Sequence, residues 1–242
     1  MSRLKRVHKW AAAIVFMLIT MGMYLVPVQP AAAANEGSVY VIPVKQQIER
    51  GLTSFMERGF KEAEEMSAGL IVLEIDTPGG RVDSAGEIAT LIKNSPVPVV
   101  AYVTGDAASA GAYIALNANK IAMSSGSMIG AAAMVDGRGN PIEDAKLISW
   151  WKTTMASAAE SSGRNANIAK GMADINETVE MPEIGITKQP GQIISLTADE
   201  ALKTGYADII AGSTNEVIAG WITRIKMCST CNRLFPRNWL PF

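Results

Sequence analysis

From residue 38 to residue 123 the chain alternates short apolar runs with segments of helical spacing, and that alternation limits the fold more than any other feature. "SVYVIPV" (38–44) suits a buried strand. "KQQIERGLTSFMERGFKEAEEMSA" follows, with Ile48, Leu52, Phe55, Met56 and Phe60 at helical intervals. "GLIVLEID" (69–76) is strand-like and ends in the turn "TPGG". "RVDSAGEIATLIKNS" is an amphipathic helix by its Val82, Ala85, Ile88, Ala89 and Ile92. "PVPVVAYVT" (96–104) is a third strand, "SAGAYIALNAN" a short helix, and "KIAMSSGSMIG" a further strand and turn. Strands alternating with helices predict βαβ units around a mainly parallel sheet. In such sheets ligands sit at the carboxyl ends of the strands, where both "TPGG" and "DAASAG" fall.

Beyond residue 139 the pattern turns helical. "NPIEDAKLISWWKTTMASAAESSGRNANIAKGMAD" reads as helix broken near Gly163. "GQIISLTADEALKTGYADIIAG" carries a strand, then a capping pattern in which Thr197 and Glu200 satisfy free helix-start amides. No internal repeat is present.

Charge is concentrated at the two ends. Arg3, Lys5, Arg6 and Lys9 stand in residues 1–34 with no acid, and Arg224, Lys226, Arg233 and Arg237 stand in 222–242 with no acid. Taking those eight from 22 basic residues leaves 14 against 23 acids, a body about nine charges negative. Such a body matches a phosphate backbone poorly, so nucleic acid is not an expected partner. "MSRLKRVHK" followed by the uncharged "WAAAIVFMLITMGMYLVPV" and then "QPAAAA" is the pattern of an export signal cleaved after Ala34. The apolar run also approaches the length of a membrane span, so an uncleaved anchor is the alternative. Either way the basic end stays in the cytoplasm and the body lies outside. Cys228 and Cys231 form a CxxC pair with no histidine or further cysteine nearby, so neither a zinc site nor a thioredoxin-like motif is expected.

The chain has one histidine, His8, and it lies inside the export signal. A Ser-His-Asp triad in the body is therefore excluded. A serine can instead be activated by a neutral lysine, whose amine loses its charge when desolvated. Ser109 is the candidate nucleophile, because it opens a helix after a strand, among Ala107, Ala108, Ala110 and Gly111. Free helix-start amides and the helix dipole favour an anion there. The Ala110 N–H and an amide of the Gly79–Gly80 pair could hold a developing oxyanion. The competing reading of Ser109 is a simple helix cap, and of "TPGG" an ordinary turn. For the base, Lys120, Lys146, Lys152 and Lys170 all lie downstream. Lys146 and Lys152 are about 240° apart around a helix and cannot face one site. The neighbouring Leu147 and Ile148 suggest dry surroundings for Lys146, whereas Glu143 and Asp144 would favour its charged form.

The string "LIVLEIDTPGGRVDSAGEIATLIKNSPVPVVAYVTGDAASAGAYIALNANKIAMSSGSMIGAA", extended by "ESSGRN" and "LTADEALKTGYAD", resembles the protease domain of long NfeD-family membrane proteins over roughly residues 37–220. The resemblance implies an α/β, Clp/crotonase-like superhelix of repeated strand-strand-helix units. It implies a serine endopeptidase with a Ser-Lys dyad and neither metal nor cofactor: Ser109 of "ASAGAYIA" as nucleophile and Lys146 of "IEDAK" as base. Gly80 and Ala110 would form the oxyanion hole, with Gly79 and Gly80 against the substrate. Implied substrates are apolar segments of stomatin-like membrane proteins, and a homo-oligomer, at least a dimer, is expected at the membrane. Three segments are expected: 1–34 as signal or anchor, 35–221 as the protease domain, and 222–242 as a basic tail standing where the family continues into membrane helices. A non-catalytic scaffold for stomatin-like partners and a crotonase-like coenzyme A thioester enzyme are the rival functions. The export signal argues against the second.

Overall fold

The computed structural model describes residues 37–221. The expected export segment, the basic tail, Cys228 and Cys231 lie outside the described residues. The chain runs β1 (Val39–Val44), α1 (Arg50–Glu65), β2 (Leu70–Thr77), α2 (Val82–Asn94), β3 (Val99–Ala108), α3 (Ala110–Leu116), β4 (Lys120–Met123) and β5 (Met128–Gly130). It continues through α4 (Ala145–Ser161), α5 (Ala166–Ala173), the β6–β7 pair (Val179–Met181, Ile186–Lys188), β8 (Ser195–Thr197), α6 (Ala198–Lys203) and β9 (Ile209–Ile210).

The main sheet has the order β1-β2-β3-β4-β9, and each of these pairings is parallel. β3 pairs with β2 along one edge and is long enough to serve two neighbours along the other. Val100–Val103 pair with β4, while Asp106–Ala108 pair with β5, which is antiparallel to β8. A parallel sheet needs cover on both faces. One face carries the large core, where Ile71, Leu73, Ile75, Val99, Ala101 and Val103 meet apolar side chains of the helices. The other carries a small cluster of Leu70, Val72, Val100 and Tyr102 beneath Val217 and Trp221.

The periodicity-based elements are present with instructive shifts. α2 buries Ala85, Ile88, Ala89 and Ile92, as the spacing requires. Ile48, expected in the first helix, instead precedes it, fully buried and bridged to Gly80. Phe55 faces outward. Thr197 and Glu200 form the expected reciprocal cap. The hairpin β6–β7 has no counterpart in the sequence reading.

Candidate functional site

β2 and β3 end side by side, but not in step. Ile75 faces Val103 and Thr77 faces Ala107, so three residues of β3 oppose one of β2. Bulges of this kind bend a strand and re-aim the residues beyond the bend. Asp76 Oδ1 stitches the irregular stretch by accepting the Asp106 N–H at 3.1 Å. Further along, the Ser109 N–H donates to Gly130 O at 2.8 Å, so β5 holds the residue from the other side.

Ser109 occupies the N-cap position of α3 with φ 54° and ψ −122°, and its hydroxyl caps nothing. A cap residue takes extended geometry and accepts an N–H of the first turn; Ser109 does neither. A left-handed φ on a non-glycine residue costs about 1–3 kcal/mol and persists where the surrounding structure enforces it. The cap reading of Ser109 therefore fails, and the hydroxyl has no hydrogen-bond partner among the described residues.

The "TPGG" turn stands against this serine. A Cβ built on Gly79 would lie 2.5 Å from Ser109 Cβ and 3.1 Å from its Oγ, so only glycine permits the approach. One built on Gly80 would lie 2.2 Å from Ile48 O. Both residues have positive φ, 104° and 153°. The turn is knitted to the segment before α1: the Ile48 N–H donates to Gly79 O and the Arg81 N–H to Ile48 O, both at 2.8 Å. The Gly80 N–H takes no part in this ladder. The Ala110 N–H, first in α3, has no acceptor within the helix. The structure thus gathers Gly79, Gly80, Ser109 and Ala110 at one sheet edge, as the sequence suggested.

Lys146 stands differently. It is the second residue of α4, exposed, and neither hydrogen-bonded nor ion-paired among the described residues. The dry surroundings expected from Leu147 and Ile148 are absent, since Leu147 is 45% exposed and Ile148 only half-buried. α4 begins with Asp144 accepting the Leu147 N–H at 2.9 Å, and residues 143–147 are all exposed. The buried anchor of the helix is one and a half turns later, where the Trp151 Nε1–H donates to Ala132 O at 2.7 Å and the ring packs 5.2 Å from Tyr113. Lys146 lines an open groove of about 520 Å³ with Lys93, Tyr113, Ser149, Trp150, Thr153 and Ser157. Gly79, Gly80, Ser109 and Ala110 are not among the residues lining this groove, and Lys146 makes no hydrogen bond to Ser109.

The other lysines weighed for the base are committed elsewhere. Lys120 pairs with Asp208 at 2.7 Å. Lys152 pairs with Glu177 at 2.6 Å and Asp174 at 2.9 Å, and hydrogen bonds from those two carboxylates hold its amine above the usual lysine range. Among the described residues Lys170 reaches only Asn167, at 3.3 Å. The sequence reading missed Lys188, which is 3% exposed on β7. Burial pushes its amine down despite Asp174 and Glu177 nearby. It is nonetheless no free base, because Nζ donates to the carbonyls of Asp174, Ile175 and Glu177 at 2.9, 3.0 and 2.6 Å. Three bonds use all three ammonium hydrogens.

A mainly parallel sheet of strand–helix units makes this a Clp-like α/β fold, with a strained serine and a diglycine turn together at the strand ends as its candidate site. The model of the NfeD1b N-terminal domain matches residues 38–223, and the chain belongs to that family. Membrane protein NfeD1b of Bacillus subtilis is 42% identical over 204 residues, covering 84% of this chain and 44% of the relative. Membrane-bound protease PH1510 of Pyrococcus horikoshii is 36% identical over 209 residues, covering 84% and 43%. The chain therefore spans less than half the length of these two relatives. Among solved structures, a lysine-to-alanine variant of the 1510-N membrane-bound stomatin-specific protease, in complex with a substrate peptide, superposes with TM-score 0.66. It is 34% identical and covers 76% of this chain and 80% of its own. ClpP1 from Listeria monocytogenes, 20% identical with TM-score 0.54 over 73% of this chain and 93% of its own, shares the fold. Among the described residues no helix is long and apolar enough to cross a membrane.

Proposed function

We propose that this chain is a serine endopeptidase that cleaves apolar segments of stomatin-like membrane proteins, with Ser109 as nucleophile and Lys146 as general base. The observation that carries the proposal is the uncapped, left-handed Ser109 pressed against Gly79. Ser67 and Ala131 also have positive φ, and what sets Ser109 apart is its place against the diglycine turn at the strand ends. In this reading neutral Lys146 takes the Ser109 proton while Oγ attacks the peptide carbonyl carbon. The Gly80 and Ala110 amides receive the negative oxygen. Protonated Lys146 then gives its proton to the departing amine, and a water molecule completes hydrolysis of the acyl-enzyme by the reverse use of the same groups.

The exposure of Lys146 gives the substrate a role in catalysis. An amine in water keeps its proton, and desolvation favours the neutral form. A peptide lying in the groove of Tyr113, Lys146 and Trp150 covers Lys146, and the proposal requires that the bound peptide also bring Lys146 to Ser109. Trp150, 52% exposed, supplies an apolar wall for such a segment. The relatives support the substrate class, since one is named a stomatin-specific protease and binds a substrate peptide in its solved structure. With residues 1–34 as export signal or anchor, 35–221 as protease domain and 222–242 as a basic tail, the domain works on the extracytoplasmic side of the membrane, as a homo-oligomer.

The test is cleavage of a peptide taken from the apolar C-terminal region of a stomatin-like protein. Ser109→Ala and Lys146→Ala should each abolish it without lowering thermal stability, and the wild-type rate should climb from neutral to alkaline pH. Undiminished cleavage by Ser109→Ala, or a rate indifferent to pH, contradicts the dyad. Stable binding of the stomatin-like protein without cleavage indicates a scaffold instead.

A further inference from the structure

We infer that Thr77 is a positioning residue whose hydroxyl sets the Gly80 amide of the oxyanion hole, an inference that rests on the Ser109 reading above. Thr77 is the last residue of β2 and only 1% exposed. Its Oγ1–H donates to Gln46 O at 2.7 Å, and its oxygen accepts the Gly79 N–H at 3.1 Å. A hydroxyl has one hydrogen to give and lone pairs to receive, so one group serves both backbone partners.

The consequence falls on the peptide plane between Gly79 and Gly80. In a trans peptide the C=O and the following N–H point in opposite directions. Gly79 O is engaged by the Ile48 N–H, so the Gly80 N–H is directed away from Ile48. With Gly79 N held by Thr77, Gly79 O by Ile48 and Arg81 N by Ile48 O, the Gly80 N–H is the one amide of residues 79–81 left unclaimed among the described residues. Glycines at φ 104° and 153° would otherwise turn freely, so an external clamp is needed to fix that plane. The Ile48 N–H clamps it directly through Gly79 O, and Thr77, by holding the Gly79 N–H, fixes the preceding Pro78–Gly79 plane from which it continues.

The same side chain touches the second half of the hole. A Cβ on Gly111 would lie 2.5 Å from Thr77 Cγ2, so the methyl fills the space beside the first turn of α3, which carries the Ala110 amide. Hydroxyl and methyl thus relate the two donors to each other. The hydroxyl performs the task that threonine, rather than an apolar β-branched residue, is needed for.

Thr77→Val keeps the shape and removes the hydroxyl. Thr77→Ala removes both groups, and Thr77→Ser keeps the hydroxyl alone. With the apolar peptide as substrate, kcat should fall about 100-fold in the valine and alanine variants, the scale of a misplacement of about 1 Å. KM should stay within about threefold, because the lost interaction belongs to the transition state. The serine variant should recover kcat to within about threefold of wild type. Hydrogen exchange of the Gly79 amide should accelerate in the valine and alanine variants and remain slow in the serine variant. Should the valine variant fail to fold, the alanine–serine pair decides. Wild-type kcat in Thr77→Val, unchanged Gly79 protection without the hydroxyl, or a serine variant as impaired as alanine overturns the inference. Failure of the Ser109 reading would show separately, as cleavage surviving in Ser109→Ala, and the Gly79 exchange would still decide the role of the hydroxyl.

Discussion

Replacing Ser109 by glycine should make the protein more stable than wild type, and the sign of that change tests the strain at the centre of the site. Ser109 is held at φ 54° and ψ −122°. Glycine adopts such a conformation without steric penalty, so the substitution releases about 1–3 kcal/mol. Against this, glycine enlarges the conformational freedom of the unfolded chain, a loss of about 0.4–1 kcal/mol. The net is a gain of about 1 kcal/mol, and for a domain of this size each kcal/mol moves Tm by about 2–4 °C. Ser109→Ala keeps the Cβ and the strain, so its Tm should match wild type. An ordinary N-cap serine behaves otherwise: alanine lowers stability by about 1 kcal/mol and glycine by a few tenths, so neither exceeds wild type. Calorimetry of the three proteins side by side makes the comparison. A glycine variant below wild type would refute the argument that Ser109 is strained.

Lys188→Met should lower stability by about 2–4 kcal/mol, seen as an earlier midpoint in urea, because it strands three carbonyls that Nζ now serves. The hub of Asp174, Glu177 and Lys152 should bound stability in pH. Burial opposes ionisation of Asp174, but the Asn176 N–H and Lys152 outweigh it and hold the carboxyl below its usual range. A depressed carboxyl stabilises above its unfolded pKa, about 3.9, and that contribution disappears as pH falls through the lower folded value. Lys152 is raised, so its contribution is complete below the unfolded value of about 10.4 and lost as pH climbs through the folded one. Urea melts should therefore weaken at both extremes, and Asp174→Asn should flatten the acid side; an acid limb identical to wild type would remove Asp174 from the account.

Sequence periodicity made β1 to β4 and their helices readable because each buries one regular face. It stopped at elements whose shape comes from tertiary partners. The extension of β3 through Gly105 and Asp106 looks like a turn in sequence, yet Asp76 and β5 draw it into the sheet and so aim Ser109. The hairpin β6–β7 has three-residue strands that carry Glu180 and Lys188, too short and too polar to show alternation. The serine and the diglycine turn could be placed at neighbouring strand ends from the sequence, which left a helix cap and an ordinary turn open as their uses. Lys146 was legible as the base partly by its neighbours and chiefly through family resemblance. Its apolar neighbours suggested burial, yet Leu147 and Lys146 stand on the exposed first turn of α4. The buried lysine proved to be Lys188, and an isolated charge in "IGITKQP" offers no sign of three carbonyls waiting for it.

The catalytic claim reduces to whether Ser109 Oγ is a nucleophile, and a fluorophosphonate probe reports this directly. After incubation of the intact protein, peptide mass spectrometry should place a single phosphonyl adduct on Ser109, formed faster as pH rises and slowed severely in Lys146→Ala. An adduct on any other residue, or wild-type labelling with Ser109 replaced by alanine, would contradict the account.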